Sequence, residues 1–232
     1  MDRLVRVFML LVLFGGTARA GARVFVYYPS LARPLAIQEA LAKKCPGLEI
    51  SVFGRLADLQ AQVGREPPQA ILAQAAVLGQ FPAYRSRLQG TRAGSPTEDY
   101  VLLSIGKPVD PAALTGASIG VVGILDRKEM DGFVAGLMPT APRVNRVTKV
   151  EDLLPLLIFQ SVAAVLVSEA NMKEFQKKSQ ANLVEVKLDK AKVGLVALGL
   201  QEGGPDADKA ILPALQALDP GTLALLGVDA WK

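Results

Sequence analysis

The chain contains no histidine, and that absence excludes more chemistry than any residue present suggests. Serine–histidine triads, cysteine–histidine pairs and the common zinc sites all need an imidazole. Cysteine is nearly as scarce: Cys45, in the segment AKKCPG, is the single one among 232 residues. One thiol closes no internal disulfide, so stability has to come from packing. Its position at the end of a helical stretch reads as a half-buried structural residue. The patterns of a phosphate-cradling P-loop, a C-x-x-C pair and a G-x-G-x-x-G turn are also missing. Carboxylates such as Glu151 and Asp152 fall near a helix start, where stabilising the helix dipole is explanation enough. The lysine-rich KEFQKK reads as a solvated face. Nothing here calls for an enzyme, a cofactor or a metal.

Long apolar runs are confined to the first residues. Arg3 and Arg6 form a basic head, residues 7–14 an apolar core, and Ala18-Arg19-Ala20 a small-x-small cleavage site. The apolar run is well short of the roughly 20 residues of a membrane span, and no cysteine follows it to carry a lipid. Residues 1–20 therefore read as a secretory signal peptide cleaved after Ala20, which places the mature protein in the periplasm or outside the cell. Excess charge of one sign is missing too. The leader carries three arginines and one aspartate, so the mature chain keeps 23 basic against 21 acidic residues. That balance is not a nucleic-acid signature.

With 50% hydrophobic and 21% charged residues, the chain can bury a sizeable core. The stretch LTGASIGVVGILDR organises it: residues 118–122 are a β-branched apolar run ended by Gly123 just before helical spacing begins. Upstream, Asp110-Pro111 and Gly116 bracket one capped helical turn. Before it, strands are expected at 23–28, 48–53 and 69–76, with helices at 31–44 and 55–63 between them. This β-α-β-α-β order implies parallel strands. Residues 80–98, polar and rich in arginine, glycine and proline, read as a loop, and 100–105 as a strand leaving it. After it come a helix at 125–137, a strand at 143–147, a capping-box spacing at 148–151 before a helix at 152–159 containing Pro155, and a continuous apolar strand at 161–168. A polar helix at 171–178 presents Met172 and Phe175 on one face. Strands at 183–188 and 193–200, a helix at 206–218 interrupted at Pro213 and a last helix after Asp219-Pro220-Gly221 complete the pattern. The fold class is α/β with two lobes, 21–104 plus 193–232 and 105–192, joined by two crossings.

The strand YVLLSIGKP leading into D-P-x-x-L-x-G and ASIGVVG, then RVNRVTKVEDLLPLL, SVAAVLVSE and the closing LLGVDAW, follow one another in a known order. In these pieces the chain resembles the type II periplasmic solute-binding proteins, nearest in outline to the phosphate and phosphonate binders of ABC transporters. The resemblance implies a Venus-flytrap molecule with two mixed, mostly parallel sheets and a small-molecule ligand between the lobes. It also implies a membrane permease as partner, or a sensor protein if the scaffold signals instead, with no nucleic acid and the monomer as working unit. Helix N-termini in such a cleft favour an anion. The groups just after the strands are the expected ligand contacts: Tyr28 and Ser30, Gln74, Ile124, Asp126 and Arg127, and Ser168. One departure stands out: phosphate binders open the first helix of the second lobe with serine or threonine, and this chain has Gly123-Ile-Leu-Asp126-Arg127. Asp126 would repel a phosphate and Arg127 could pair with one, while both also suit a solvated first turn. Of Tyr27 and Tyr28, alternation sends one inward and the other to the cleft or solvent.

Overall fold

The computed structural model describes residues 21–203 and 207–232. The expected signal peptide, residues 1–20, lies outside them, as does the expected helix start at Asp206. The first lobe begins with β1 (Ala22–Tyr27), α1 (Pro34–Lys44), β2 (Leu48–Phe53), α2 (Leu56–Arg65), β3 (Ala70–Gln74) and the single turn α3 (Ala75–Leu78). β1 pairs in parallel with both β2 and β3. Proline fixes where α1 starts: Pro34 takes a first-turn position, so the helix begins three residues later than its apolar spacing suggests.

Residues 80–98 are not a loop. They contain β4 (Tyr84–Thr91) and the start of β5 (Thr97–Ile105). β4 buries Tyr84 and Leu88 and leaves Arg85, Ser86 and Arg87 in water. Its hydrogen-bond partners come from the far end of the chain, where Leu88 faces Leu198 and Thr91 faces Ala230. A local reading of polar composition cannot see such partners. The turn between β4 and β5 pairs Arg92 with Ser95 and holds Ala93 and Gly94 at φ +48° and +77°, the double left-handed geometry of a type I′ turn.

The second lobe follows: β6 (Ser118–Val122), α4 (Arg127–Leu137), β7 (Arg143–Val147), α5 (Leu153–Ile158), β8 (Ala164–Ser168), α6 (Glu169–Lys178) and the twelve-residue β9 (Leu183–Gly194). The capped turn before β6 forms as expected, with Asp110 accepting from the Ala112 amide and Gly116 at φ +72°. The capping box at 148–151 does not. Lys149 precedes a 3₁₀ turn over Val150–Asp152 with no side-chain cap, and Pro155 sits early in the short α5 that follows. The chain then returns to the first lobe through β10 (Val196–Gln201), α7 (Ala207–Gln216), α8 (Pro220–Leu225) and β11 (Ala230–Trp231). The expected final helix is thus α8, and the last residues add an edge strand to β4.

Two sheets result, in the orders β11-β4-β10-β3-β1-β2 and β7-β6-β8-β5-β9. Both are mixed. Parallel pairing is limited to three strands in each, β2-β1-β3 and β7-β6-β8, and the strands around the crossings all join antiparallel. The parallel share is therefore smaller than expected, because β5 and β9 pair with each other along their whole length from Thr97 opposite Gly194 to Ile105 opposite Leu183. The chain passes between sheets at residues 92–96 and again at Leu195. Gly194 is needed at the second passage: a Cβ there would lie 2.8 Å from the Ala75 methyl at the start of α3.

Three apolar clusters hold the layers. One lies under α1 and α7 of the first lobe and another under α5 and α6 of the second. The third draws on both sheets, joining Phe25, Leu59 and Val77 to Leu102, Ile124, Met130 and Val134. Cys45 is fully buried in the first-lobe cluster, with its thiol pushed above its usual pKa by desolvation.

Candidate functional site

The residues that follow the parallel strands of one sheet meet those that follow the parallel strands of the other. On the α1 side this leaves two cavities. The smaller, about 310 Å³, lies between Tyr28, Ser30 and Pro34 of the first lobe and Thr148, Lys149 and Glu151 of the second. The larger, about 570 Å³, lies between Tyr28, Ser30 and Gly227 on one lobe and Glu169, Asn171 and Lys173 on α6 of the other, with Arg92 from the β4–β5 turn on its wall. Tyr28, Ser30 and Leu31 line both, and the Leu31 side chain bridges the lobes by packing on the second lobe's cluster.

Behind that wall is a set of buried polar groups on the inner ends of the strands. Glu98, at the start of β5, is buried and accepts from Arg92 at 3.0 Å. The Ser168 hydroxyl also bonds its carboxylate. Burial pushes the Glu98 carboxyl upward, and Arg92 works against it. Arg92 also donates to the Gly227 carbonyl and reaches the Tyr28 hydroxyl. Gly227 permits this approach, since any side chain there would run into Tyr28. Tyr28 is pushed up to about 12, by desolvation first and by Glu98 second, with Arg92 opposing. Tyr27 and Tyr100 are raised as well, mainly by burial, and Tyr100 feels Glu98 and both other tyrosines. The Gln74 amide nitrogen donates to the Tyr100 hydroxyl at 3.5 Å.

Four of the seven expected contacts therefore gather in one region. Tyr28 and Ser30 line the cavities, and Gln74 and Ser168 lie in the polar set behind them. Ser30 also stiffens its own loop by accepting from the Ala32 amide at 3.3 Å, and Ser168 caps α6 by accepting from the Asn171 amide at 3.3 Å. The structure does not bring Ile124, Asp126 and Arg127 to these cavities. Ile124 is 2% exposed within the cluster shared by both lobes. Asp126 precedes α4 without capping it and instead accepts from Gln60 across the junction at 3.4 Å, beside a 3.1 Å bond from Gln80 to Glu129. Arg127 is exposed, and its carbonyl accepts from Arg146 at 3.1 Å.

Arg92, Glu98 and Tyr100 were not among the expected contacts. Alternation extended backwards from 100–105 would have placed Glu98 on the face of Tyr100 and Leu102. The segment's composition masked that signal.

No family model and no curated protein sequence matches the chain. Solved structures do. The periplasmic VFT2 domain of BvgS from Bordetella pertussis superposes with a TM-score of 0.57 at 15% identity, over 88% of this chain and 92% of that one. XAC2383 from Xanthomonas citri, solved bound to ATP, gives 0.61 at 12% identity over 91% of each. The amino-acid ABC-transporter substrate-binding protein AbpA from Streptococcus pneumoniae, solved with L-arginine, gives 0.59 at 14% identity, over 88% and 92%. The fold shared with these structures is a two-lobed α/β Venus flytrap with two mixed sheets.

Proposed function

We propose that this chain is an extracytoplasmic solute-binding protein that takes up a small molecule on the α1–α6 side of its lobe junction and hands it to an ABC-type membrane permease. In this reading residues 1–20 are a signal peptide cleaved after Ala20, and the mature monomer works in the periplasm as a binder, not a catalyst. The lobes divide as 21–104 with 193–232 and 105–192, although the strand pairing favours a changeover some residues earlier, in the β4–β5 turn. One observation carries the reading. Two cavities of about 310 and 570 Å³ open between the lobes on that side and share Tyr28, Ser30 and Leu31 as lining, where a flytrap would enclose its ligand. Tyr28 and Ser30, with Gln74 and Ser168 in the polar set behind them, form the contact set of this reading.

The anionic ligand implied by the resemblance has weaker support. Arg92 is engaged by Glu98 and by a carbonyl, and Asp126 and Glu129 stand at the start of α4, where an anion would sit. A second reading, a sensory protein signalling to a membrane partner, is favoured by the apolar cluster that runs through both lobes and resists their separation.

Thermal unfolding of residues 21–232 against phosphate, phosphonates, sulfonates, amino acids, thiamine-like cations and neutral polyols tests the reading. A solute at 100 times its dissociation constant stabilises the fold by about 2.7 kcal/mol. A shift with one class supports solute binding, and a cooperative transition that no solute moves favours the sensory reading.

A further inference from the structure

Neither Arg92 nor the start of α4 is free to receive an anion, but the two cavities hold other charges. Besides Arg92, their lining brings Arg33 and Lys149 on the smaller and Lys173, Lys177 and Lys178 on the larger. Three carboxylates stand among them, and each already has a cation. Lys149 lies 3.7 Å from Glu151, while Glu169 with Lys173 and Glu174 with Lys177 are pairs at 2.8 Å. Glu98, behind the wall, is taken by Arg92. Among the described residues, this pairing leaves over Arg33 on one cavity and Lys178 on the other, both exposed, and no carboxylate. Lys178 adds only a lesser share, behind Lys177, to holding the Glu174 carboxyl down.

That remainder equals the net charge of the mature chain. Counting Glu98 with the lining, six of the 23 basic and four of the 21 acidic residues lie here, which leaves 17 of each elsewhere. The rest of the chain is formally neutral, and the positive excess sits at the cavities. A cleft edged with one sign of charge concentrates the opposite sign. An ammonium group arriving there meets only carboxylates already bonded to lysine or arginine. Size decides what sort of anion fits. Volumes of about 310 and 570 Å³ suit an organic molecule better than a small inorganic ion. Pro29, Leu31, Val150 and Leu225 give its carbon skeleton apolar walls.

We infer that the solute is an organic anion without an ammonium group, selected by Arg33 and Lys178. This rests on the solute-binding reading above and narrows it: the charge is read beside α1 and α6, away from the acidic start of α4.

Calorimetric titration of residues 21–232 at low ionic strength tests it. Two organic anions, glutarate and glycerol 3-phosphate, are compared with inorganic phosphate, the uncharged glutaramide, the dication cadaverine and L-glutamate, which adds an ammonium group to glutarate. One of the organic anions is expected to bind at least about tenfold tighter than the other four probes, and which one it is separates a carboxylate from a phosphoester. Arg33→Gln combined with Lys178→Gln should weaken that binding about tenfold. Both side chains are exposed, so the double variant keeps its fold. Lys128→Gln combined with Lys190→Gln removes the same charge from exposed positions outside both cavities and should leave the affinity unchanged. Tighter binding of glutaramide, cadaverine, L-glutamate or phosphate overturns the inference and leaves solute binding standing. Equal losses in the two double variants, or no loss in the first, show that Arg33 and Lys178 do not select the solute, and overturn it as well. No binding by any of the six probes overturns both readings.

Discussion

On the α2–α4 side of the junction the lobes meet through aliphatic and aromatic side chains, with Ile124 packed into a cluster that also holds Phe25, Leu59 and Val77. Outside that contact, the Gln60 and Gln80 amides donate to Asp126 and Glu129. On the α1–α6 side the same two lobes leave cavities, lined by backbone turns, tyrosine and charged pairs. The difference assigns separate jobs to two faces of one junction. Apolar packing supplies cohesion without direction, so the first side can hold the lobes together. Polar groups supply direction with little net cohesion, so the second can recognise.

The sharpest way to break this contrast is to empty the sealed side. Ile124→Ala should cost about 2–5 kcal/mol in denaturant unfolding, whereas Ser30→Ala on the open side should stay within about 0.5 kcal/mol. Equal losses would show that the two sides do not differ in kind. An intermediate effect is expected at Arg92→Met, which leaves Glu98 buried without its cation. A loss of about 1–3 kcal/mol near neutral pH is expected, kept below the range for fully buried pairs because Arg92 is partly exposed. The Glu98 carboxyl is already raised by burial, so its protonated form is the one folding favours. Stability tied to it is present at low pH and lost as pH rises through the folded pKa. The deficit of the variant should therefore shrink on acidification, and a deficit independent of pH would locate the damage elsewhere.

The smallest effect belongs to a pair remote from both sides. Asp219 caps α8 by accepting from the Thr222 amide at 3.1 Å and pairs with Lys44 at the end of α1. Lys44 first, then Thr222, hold its carboxyl down at about 2. A lowered carboxyl contributes stability above its unfolded pKa, and that contribution fades as pH falls toward 2. Acid titration of Asp219→Asn should show a slightly flatter profile across that window with an unchanged response to solutes. A changed response would tie α8 to the junction.

Legibility from sequence followed the range of the interactions involved. The turn at 110–116 was readable because Asp110, Pro111 and Gly116 act on their own neighbours. The parallel strands were readable because burial on both faces leaves continuous apolar runs. β4 was not, since its stability comes from β10 and β11 far along the chain and its outward face is arginine and serine. The candidate site divided in the same way. Positions after strands pointed to Tyr28, Ser30, Gln74 and Ser168, but nothing local shows on which side of a sheet a loop will lie. Ile124 thus looked like a neighbour of the ligand and is a core residue. Glu98 and Arg92 belong to a crossing visible only once both sheets are in place.

The placement of the aromatic residues makes the molecule optically two-part. Its single tryptophan, Trp231, is fixed on the outer edge of the first lobe by an indole bond to the Leu215 carbonyl at 2.8 Å. Three of its four tyrosines, Tyr27, Tyr28 and Tyr100, gather at the junction. Tryptophan emission therefore reports the corner of α7 and β11 and serves as an internal reference. Tyrosine absorbance and near-ultraviolet dichroism carry the signal of whatever happens between the lobes, so one unlabelled sample reads both.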